Sequence, residues 1–397
     1  MIRLETLAAP QRRALDLIKE VAAAKNLRPF LVGGPVRDLL LGRSVIDLDF
    51  TIEDDSSALA RGIAKQINGR VRSYPQFLTY KVTAEDFPEI DIATARSEKY
   101  RQPGALPTVS PGSLIDDLTR RDFSINAIAL DIISGDLHDP IAGLPDVEQK
   151  RIRILHHASF TDDPTRIFRA IRLATRLGFT LEPQTAGLMN DAIRNGALDT
   201  VSKERLWREL FLAFEEDNAA DVIEALNGAG ALDVLTGRRE LQRDRLDAVQ
   251  QVVRANPSLD REVLYLSAML FGDASPVDVE GSGLSQKRVR VVVQIANEIA
   301  RYTDALRDAD NDQQRFKLLK HASPELLALL PPEQVTKFRE FQKFQIPLRG
   351  SDLEVPSGPH IAKELERTRE AVFTGEITPD NARSFAREMA IKYLESK

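Results

Sequence analysis

Apolar and polar residues recur with two different periods along the chain. Apolar residues at helical spacing predict a helix over Gln11–Ala24. Runs of strand-forming residues predict strands at Pro29–Val32, Ile46–Ile52, Arg70–Tyr74, Thr79–Thr83 and Ile90–Ala93. Ser56 is typical of an N-cap and predicts a helix that extends to Ile67. From Asp146 onward the period stays helical, which predicts a domain boundary there.

A glycine pair follows the first predicted strand. Gly33 and Gly34 have no Cβ, so the backbone can turn sharply there and a ligand can approach it closely. A short helix is predicted over Val36–Leu41 and ends at Gly42. The backbone N–H groups at the start of such a helix can bind phosphate groups.

Two acids follow on the next predicted strand. Because strand side chains alternate, Asp47 and Asp49 would share one face, with the apolar Ile46, Leu48 and Phe50 on the other. Neighbouring carboxylates repel, so one stays protonated unless a cation lies between them. Mg²⁺ prefers carboxylate oxygens and shares its ligand shell with phosphates. The pair therefore predicts a magnesium site.

Asp91, on the predicted Ile90–Ala93 strand, is the best candidate for a third carboxylate at that site. A plainer interpretation stays open for all three acids, since carboxylates are also common on solvated strand edges and burial cannot be read from sequence.

Residues Ser97–Ser113 contain several prolines and glycines, which predicts a long loop without regular structure. Loops of this length often serve as lids over a site.

A cluster of charged residues follows at Arg120, Arg121, Asp122 and Asn126. Arginine offers fixed donors for phosphate oxygens. Aspartate would accept a hydrogen bond from a sugar hydroxyl but would repel phosphate. The combination favours a ribonucleotide over a bare phosphate, and the alternative is a surface charge cluster.

A further charged segment, Asp162–Arg166, has the acids and the proline that helix N-termini favour. Asp163 and Arg166 are three residues apart and would share a helix face, where an acceptor and a planar donor could bind a base edge. Arg169, Arg172 and Arg176 continue this face and suit phosphate groups. A solvated helix face would show the same pattern.

Composition limits the possible classes of protein. The chain has 397 residues, too many for one core, with 43% hydrophobic and 29% charged residues, as in ordinary globular proteins. It has no cysteine, which excludes disulfides and thiolate metal sites. The net charge of −6 means that an RNA partner would have to bind local basic faces.

Targeting signals are not evident in the sequence. Arg3 and Glu5 interrupt the first residues, which is unlike a secretory signal. No uncharged apolar stretch reaches the roughly 18 residues that a membrane span needs. We therefore expect a cytoplasmic protein without a membrane or protein partner.

These motifs together resemble the signatures of the class II tRNA nucleotidyltransferases, the family of CCA-adding enzymes and bacterial poly(A) polymerases. The matching stretches are Gly33–Gly42 with Asp47 and Asp49, Arg120–Ala127, Asp139–Gly143, Asp162–Arg166, Glu204–Glu209, Pro347–Leu353, Gly358–Ile361 and Gly375–Thr378. Three positions depart from the family pattern. Ser124 stands where Thr is usual, Ala142 where Gly is usual, and Asp162 where Glu is usual.

The resemblance implies an α+β nucleotidyltransferase head with a mixed β-sheet, followed by all-α neck, body and tail. The corresponding segments would be residues 1–145 for the catalytic head, 146–215 for the base-reading neck, 216–340 for the body and 341–397 for a tRNA-binding tail.

The resemblance also implies template-independent addition of CMP and AMP from CTP and ATP to the 3′ end of tRNA. Asp47 and Asp49 would hold two Mg²⁺ ions, with Asp91 as a further catalytic acid. Nucleotide binding would involve Gly33, Gly34, Arg37, Arg121, Asp122, Asn126, Asp163, Arg166, Arg169 and Arg172. The family's Glu-Arg-x-x-x-Glu motif, at Glu204, Arg205 and Glu209, would brace the base-reading helix. The partner would be tRNA, bound at its acceptor end and elbow.

Several functions remain open on the sequence alone. The full-length segment Ser97–Ser113 favours an enzyme that can add the terminal adenosine, since enzymes of the family that add only cytidines have it shortened. An enzyme adding only A and a poly(A) polymerase are the nearest alternatives. A nucleotidyltransferase acting on a protein or small molecule, and a non-catalytic RNA-binding protein, are more distant.

Overall fold

The structure of the protein is a computed structural model, which describes residue 4 and residues 7–343, 350–353, 355–356 and 358–395. The segment with Arg3 and Glu5, and the Pro347–Arg349 part of the tail motif, lie outside these residues. The chain forms two compact units, Met1–Arg238 and Arg239–Lys397. The four-part division into head, neck, body and tail stays a prediction.

The first unit is built on a mixed β-sheet, as predicted. Its strands are β1 (Phe30–Val32), β2 (Leu48–Ile52), β3 (Arg70–Tyr74), β4 (Thr79–Ala84), β5 (Phe87–Thr94), β8 (Ala129–Asp131) and β9 (Leu137–His138). Two small pairs lie outside it, β6 (Arg96–Lys99) with β7 (Thr108–Pro111) and β10 (Arg151–Ile152) with β11 (Thr180–Leu181). The seven strands are ordered β3-β4-β5-β2-β1-β8-β9.

Strand register places three charged residues side by side. β2 and β5 are parallel, with Asp49 opposite Asp91, and β4 is antiparallel to β5, with Lys81 opposite Asp91. Neighbouring strands lie only about 4.8 Å apart, so both acids lie on adjacent positions of one sheet surface.

Helices surround this sheet and form the rest of the first unit. They are α1 (Ala9–Ala24), α2 (Gly34–Leu40), α3 (Ser56–Gln66), α4 (Leu114–Thr119), α5 (Gly143–Glu148), α6 (Ser159–Asp162), α7 (Thr165–Leu177), α8 (Pro183–Arg194), α9 (Lys203–Phe214), α10 (Ala219–Gly228) and α11 (Asp233–Thr236). The helix predicted from apolar spacing is α1, and it packs against α3 and β5. Trp207 of α9 is 1% exposed, as expected of a core residue.

The second predicted strand is shorter than expected. β2 begins at Leu48, so Asp47 precedes the strand, and Ile46 is 77% exposed instead of packing beside Leu48 and Phe50. The pairing with β5 starts at Leu48, opposite Ile90, so no neighbouring strand orders the residues before it.

The segment predicted to lack regular structure contains the β6–β7 hairpin. Arg96 pairs with Pro111 at the open end of this hairpin. A proline is tolerated there because a terminal ladder position on an edge strand does not need its missing N–H. Only the connection at residues 100–107 remains a loop.

The start of α3 also differs from the prediction. The N-cap is Asp55 and not Ser56, because the Asp55 carboxylate accepts hydrogen bonds from the backbone N–H groups of Ser57 and Ala58.

The second unit is helical, as the period of its sequence predicts. Its helices are α12 (Arg243–Ala255), α13 (Arg261–Met269), α14 (Gln286–Arg307), α15 (Asp312–Leu319), α16 (Pro324–Leu329), α17 (Pro332–Lys343), α18 (Pro359–Thr374) and α19 (Ala382–Glu395). Four aromatic rings pack together with centroids 5.5–6.2 Å apart, and they belong to Phe316, Phe338, Phe341 and Phe373. Within the described residues, no helix is long and apolar enough to cross a membrane.

The motif at Asp139–Gly143 is a tight turn onto α5. The Asp139 carboxylate accepts hydrogen bonds from the N–H groups of Gly143 and Leu144. Ala142 has a left-handed φ of 55°, which glycine adopts at lower cost. A Cβ on Gly143 would lie 2.1 Å from the carbonyl oxygen of Ser124.

Replacement of Gly143 by Ala should therefore destabilise the first unit, by about 1–3 kcal/mol for overpacking of this size. Gly187 is the matched control, since it lies on the exposed face of α8 and an added Cβ would have no atom within 4 Å. Gly187→Ala should be neutral or stabilising by up to about 1 kcal/mol. Urea unfolding measures both, and equal stability of the two variants would contradict the close packing at Gly143.

Candidate active site

A polar cleft of about 560 Å³ lies in the first unit, beside the turn after β1. Its walls come from β2, the β6–β7 connection, the segment after α4, and helices α7 and α9. The residues that line it are Gly33, Gly34, Asp49, Glu98, Tyr100, Leu106, Pro107, Arg120, Arg121, Asp122, Asn126, Asp163, Thr165, Arg166, Arg169, Arg205, Arg208, Glu209 and Leu212. Nine of the predicted nucleotide-binding and catalytic residues are among them; Asp47, Asp91, Arg37 and Arg172 are not.

The glycine turn adopts the geometry that the sequence predicts. Gly33 has a φ of 73°, and α2 begins directly at Gly34. A Cβ on Gly33 would lie 2.8 Å from Nη1 of Arg121, so a larger residue would displace that guanidinium. Arg121 is oriented by a 2.8 Å hydrogen bond from Nη2 to the buried carboxylate of Asp117. The start of α2 at Gly34 and the Arg121 guanidinium therefore lie together at the cleft, a combination that suits phosphate oxygens.

Asp49 lies near both other predicted acids. Burial, followed by the charge of Asp91, raises the pKa of Asp49 to about 6, and Asp47 contributes in the same direction. Arg121 and Lys81 oppose this shift without cancelling it. Burial and the neighbouring carboxylates thus both disfavour the charged form of Asp49, and a cation between the acids would favour it.

Asp91 is partly neutralised by a lysine. Lys81 Nζ lies 3.4 Å from its carboxylate and also donates a hydrogen bond to Glu89. Burial still raises the pKa of Asp91 above its usual value. In the described part of the chain, no three His, Cys, Asp or Glu side chains are grouped so that they could hold a metal ion together. A metal contact by Asp91 stays a prediction.

Asp122 is the most fully bonded carboxylate of the cleft. Its Oδ1 accepts hydrogen bonds from the Phe123 N–H at 2.8 Å and from Asn126 Nδ2 at 3.0 Å. Its Oδ2 accepts two hydrogen bonds from Arg169. Burial alone would raise the pKa of Asp122, but Arg169 and the Asn126 amide outweigh it and lower the pKa far below its usual range. Asp122 is therefore ionised at any physiological pH.

Arg37 lies behind the cleft, not in it. It is 5% exposed, and it donates two hydrogen bonds to Asp38 and one, at 2.8 Å, from Nη1 to Asn126 Oδ1. This arrangement orients the Asn126 amide, so that Nδ2 points its hydrogen at Asp122. The expected direct contact of Arg37 with a triphosphate is replaced by this positioning role.

Asp163 and Arg166 do not share a helix face as predicted. Asp163 is extended, with a φ of −134°, and α7 begins only at Thr165. Pro164 accounts for the difference, because proline disfavours the helical conformation in the residue before it. The Asp163 carboxylate instead bonds the N–H and hydroxyl of Thr165. Both Asp163 and Arg166 nevertheless line the cleft.

The side chains of Asp163 and Arg166 are held by several further contacts. Arg166 is 4% exposed and donates to Ser159 Oγ at 2.6 Å and to the carbonyl oxygen of Arg120 at 2.8 Å. Asp163 Oδ1 accepts from Arg205 Nη2 at 2.8 Å. Arg205 also donates to the carbonyl oxygen of Gly104, in the β6–β7 connection. The orientation of both side chains is therefore set before any ligand arrives.

The arginines that follow on α7 form ion pairs. Arg169 lies against Asp122 and 3.7 Å from Glu209, while Arg172 pairs with Glu209 and with Glu216 at 3.0 Å. Arg176 continues the series, 3.6 Å from Asp38 and 3.8 Å from Glu216. These side chains are therefore neither fully solvated nor free of protein partners, and contact of Arg169 and Arg172 with nucleotide phosphates stays a prediction.

The motif on α9 braces α7, as expected. Arg205 and Glu209 make the contacts described above, whereas Glu204 is exposed. Sequence reasoning missed Arg208 and Leu212, which line the cleft from the same helix. Their spacing from Arg205 and Glu209 places them on one helix face and could have indicated them. Tyr100 and Leu106, in the predicted loop, gave no comparable signal.

Two family models match the chain. Residues 29–153 match the model described as the poly A polymerase head domain, and residues 178–241 match "Probable RNA and SrmB-binding site of polymerase A".

Curated relatives match as well. An A-adding tRNA nucleotidyltransferase of Geobacter sulfurreducens is 32% identical, over 93% of this chain and 46% of its own length. An A-adding enzyme of Halalkalibacterium halodurans is 39% identical, over 58% and 56%. A CC-adding enzyme of Deinococcus radiodurans is 38% identical, over 57% and 61%. The chain thus spans about half the length of these relatives.

Solved structures share the fold over most of the chain. A tRNA-processing enzyme in an apo form matches with a TM-score of 0.72 and 26% identity, covering 93% of this chain and 99% of that one. A tRNA nucleotidyltransferase complexed with a primer tRNA and an incoming ATP analog matches with a TM-score of 0.67 and 29% identity, covering 82% and 97%.

The raised pKa of Asp49 predicts a pH-dependent stability in metal-free protein. Below about pH 3 the carboxyl is protonated in both folded and unfolded chains. As the pH rises towards 6, the unfolded chain releases this proton first, so the folded state loses stability relative to it. Asp49→Asn removes the penalty and should raise the free energy of unfolding by about 1–3 kcal/mol at pH 8.

Urea unfolding in EDTA at pH 8 and pH 4 measures this effect, and the gain should fall to about 0.5 kcal/mol or less at pH 4. Asp47→Asn is the matched control, since Asp47 is exposed. If Asp49→Asn were less stable than the parent at pH 8, the electrostatic picture would be contradicted.

Proposed function

Since the chain belongs to the class II tRNA nucleotidyltransferase and poly(A) polymerase family, we propose that it transfers CMP and AMP to the 3′ end of tRNA. CTP and ATP are the nucleotide donors, tRNA is the acceptor, and pyrophosphate is released. The reaction needs no nucleic-acid template, because the base of the incoming nucleotide is read by protein side chains.

The observation that carries this proposal is that one cleft contains both groups suited to phosphates and groups suited to the edge of a base. Gly34 and Arg121 provide donors for phosphates beside the carboxylate of Asp49, and Gly33, without a Cβ, leaves room for Arg121. Asp163 and Arg166 provide an acceptor and a donor for a base edge. A nucleoside triphosphate has both groups, whereas a catalytically silent RNA-binding surface has no need of acids beside a phosphate site.

The acids fit a divalent metal by their chemistry. They are hard oxygen donors, and Asp49 lies opposite Asp91 on the neighbouring strand, so two carboxylates face the same part of the sheet surface. Asp47 and Asp49 would hold two Mg²⁺ ions. When bound, these ions supply the positive charge that favours ionisation of the acceptor 3′-hydroxyl and departure of pyrophosphate.

The protein's own part is to position the nucleotide. The glycine turn and Arg121 bind the triphosphate. Asn126, oriented by Arg37, has a second amide hydrogen that can donate to the substrate. The Asp122 carboxylate already accepts four hydrogen bonds, so it would accept from the ribose hydroxyl in exchange for one of them. Because these groups are fixed by the protein, they do not have to be reorganised when the nucleotide binds.

The base would be bound by those polar atoms of Asp163 and Arg166 that have no hydrogen bond to the described protein residues. The hydrogen bonds that Asp163 accepts within the described residues all go to Oδ1, so Oδ2 remains as an acceptor. Arg166 donates from Nη1 and Nη2 to protein atoms but has five N–H groups in all. An acceptor and a donor that are already oriented can distinguish cytosine and adenine from uracil and guanine by the order of their groups.

An enzyme that adds only the terminal A is the second candidate. The names of the Geobacter sulfurreducens and Halalkalibacterium halodurans relatives favour it. Incubation with tRNAs that end at the discriminator base, at C and at CC, each with CTP and ATP, separates the candidates. CCA addition requires extension of all three tRNAs, A addition only of the last, and a poly(A) polymerase would add adenosines beyond one.

Asp49→Asn should abolish transfer, with a loss of at least about 10³-fold in kcat, because one carboxylate of the metal site is gone. Pyrophosphate release measures the rate, and circular dichroism checks that the fold is retained. Glu204→Gln is a control for removal of one exposed acid elsewhere in the first unit. Wild-type turnover in the Asp49→Asn variant would refute the metal assignment.

Arg166→Lys should reduce the discrimination for CTP and ATP against UTP and GTP about tenfold or more, because lysine cannot replace the planar donor pair. The ratio of kcat/KM values for the four nucleotides measures it. Arg194→Lys, on the exposed side of α8, is the control. Unchanged ratios with a reduced rate would assign Arg166 to folding and not to base reading.

A further inference from the structure

The cleft contains six arginines, and five of them are engaged by protein atoms. Arg120 and Arg121 bond Asp117, and Arg166 bonds Ser159 and a backbone carbonyl. Arg169 bonds Asp122, and Arg205 bonds Asp163. For the sixth, Arg208, no hydrogen bond or ion pair is found with any residue that the structure describes, and its side chain is exposed. An unpaired guanidinium in a cleft is a candidate for an anionic ligand group.

Two apolar side chains lie at the same cleft although they are open to solvent. Leu106, in the β6–β7 connection, is 63% exposed, and Leu212, on α9, is 39% exposed. They come from separate elements of the first unit, so the cleft has apolar surface on more than one wall. Leu212 follows Arg208 by four residues and therefore lies next to it on the helix face.

The reaction requires two nucleotides in the cleft at the same time. Resting on the proposed function, the inner groups serve the incoming nucleotide: Asp163 and Arg166 its base, Asp122 its ribose, and Gly33 with Arg121 its phosphates. The acceptor nucleotide must lie beside it, and none of these groups is left for it. The 3′-terminal nucleotide of the acceptor has one base and one singly charged phosphate that links it to the preceding nucleotide. One free guanidinium can bind that phosphate, and a small apolar surface can contact the base.

We propose that Arg208, Leu212 and Leu106 form the subsite for the 3′-terminal nucleotide of the acceptor RNA. Arg208 binds the phosphate that links this nucleotide to the preceding one. Leu212 and Leu106 contact the faces of its base. Such contacts carry little base specificity, which an enzyme needs if it extends RNAs that end in different nucleotides.

Equilibrium binding of RNA tests the phosphate contact without any chemistry. In EDTA, the full chain is titrated with a tRNA that ends before the terminal A, and the Kd is compared for Arg208→Ala and the parent. A charge-assisted hydrogen bond of this kind predicts about a tenfold loss or more. The slope of log Kd against log salt concentration should fall by about 0.7, the value for one lost contact to a single strand.

Arg13→Ala is the matched control. Arg13 is an exposed arginine on α1 that does not line the cleft, so its loss changes the net charge by the same amount. An equal loss of RNA affinity in this variant would mean that Arg208 acts only through overall charge, and would overturn the proposal.

Modified RNAs identify the contacted groups. A tRNA with an uncharged methylphosphonate at its last linkage should bind the parent and Arg208→Ala equally. A tRNA with an abasic 3′-terminal nucleotide should bind the parent and Leu212→Ala equally, whereas with the intact base the alanine variant binds several-fold more weakly. Ile133→Ala, which removes an exposed apolar side chain away from the cleft, should have no effect on either RNA.

The result that would overturn the subsite is a penalty of Arg208→Ala that persists with the methylphosphonate. A second result would also overturn the subsite: Arg208→Ala binds ATP more weakly in the absence of RNA but binds RNA as the parent does. Arg208 would then bind the triphosphate and not the RNA. Failure of the proposed function is distinguishable. Parent protein that transfers no nucleotide would refute that function whatever the binding data show, and parent protein that transfers normally while Arg208→Ala binds RNA normally would refute only the subsite.

Discussion

The ion pair between Asp122 and Arg169 is the interaction on which the cleft depends. It joins the segment after α4 to helix α7, and both partners have further bonds that extend it. Asn126 connects Asp122 to Arg37 and so to the glycine turn. Glu209 connects Arg169 to α9. The pair is costly to break by removal of Arg169, because the Asp122 carboxylate is buried and would lose its partner in a poorly solvated place, whereas the Arg169 side chain is partly exposed.

This network explains how one cleft can be rich in charge and still be ordered. Nearly every arginine in it is paired with a carboxylate or a carbonyl, so the fold does not have to hold like charges together unpaired. The groups that lack such compensation are therefore informative. Asp49, with the neighbouring Asp47 and Asp91, is an excess of negative charge, and Arg208 has no partner among the described residues. On the proposal made above, a divalent metal would neutralise the first and an RNA phosphate the second.

The residues proposed to bind the two parts of a nucleotide come from different layers of the fold. The glycine turn and the acids belong to the β-sheet and its connections, where strand pairing sets their spacing. The residues proposed to read the base belong to helices α7 and α9 and to the segment before them. Arg205 contributes to this organisation, since it bonds both Asp163 and the connection between β6 and β7. A single side chain thus relates the orientation of the base-reading carboxylate to the position of the cleft's outer wall.

The sequence by itself determined which residue types carry the chemistry, and it separated the sheet-containing first part from the helical remainder. It could do so because the glycine pair, the two acids and the charged motifs are local patterns, and because hydrophobic period reports the type of element directly. It also placed β1, β3 and α1 within a residue or two, since their apolar patterns are regular.

Only the tertiary structure decided how those residues are used. Arg37 is a local neighbour of the glycine turn, but long-range packing against Asn126 takes it out of the cleft. Asp163 is separated from its expected helix by the conformation that Pro164 imposes, and Ile46 is exposed because no strand pairs with it. The carboxylate partners of Arg169, Arg172 and Arg176 come from segments more than 30 residues away, and no local pattern encodes such distances. For the same reason, the sequence could not indicate that Arg208, alone among the cleft arginines, has no hydrogen-bond or ion-pair partner among the described residues.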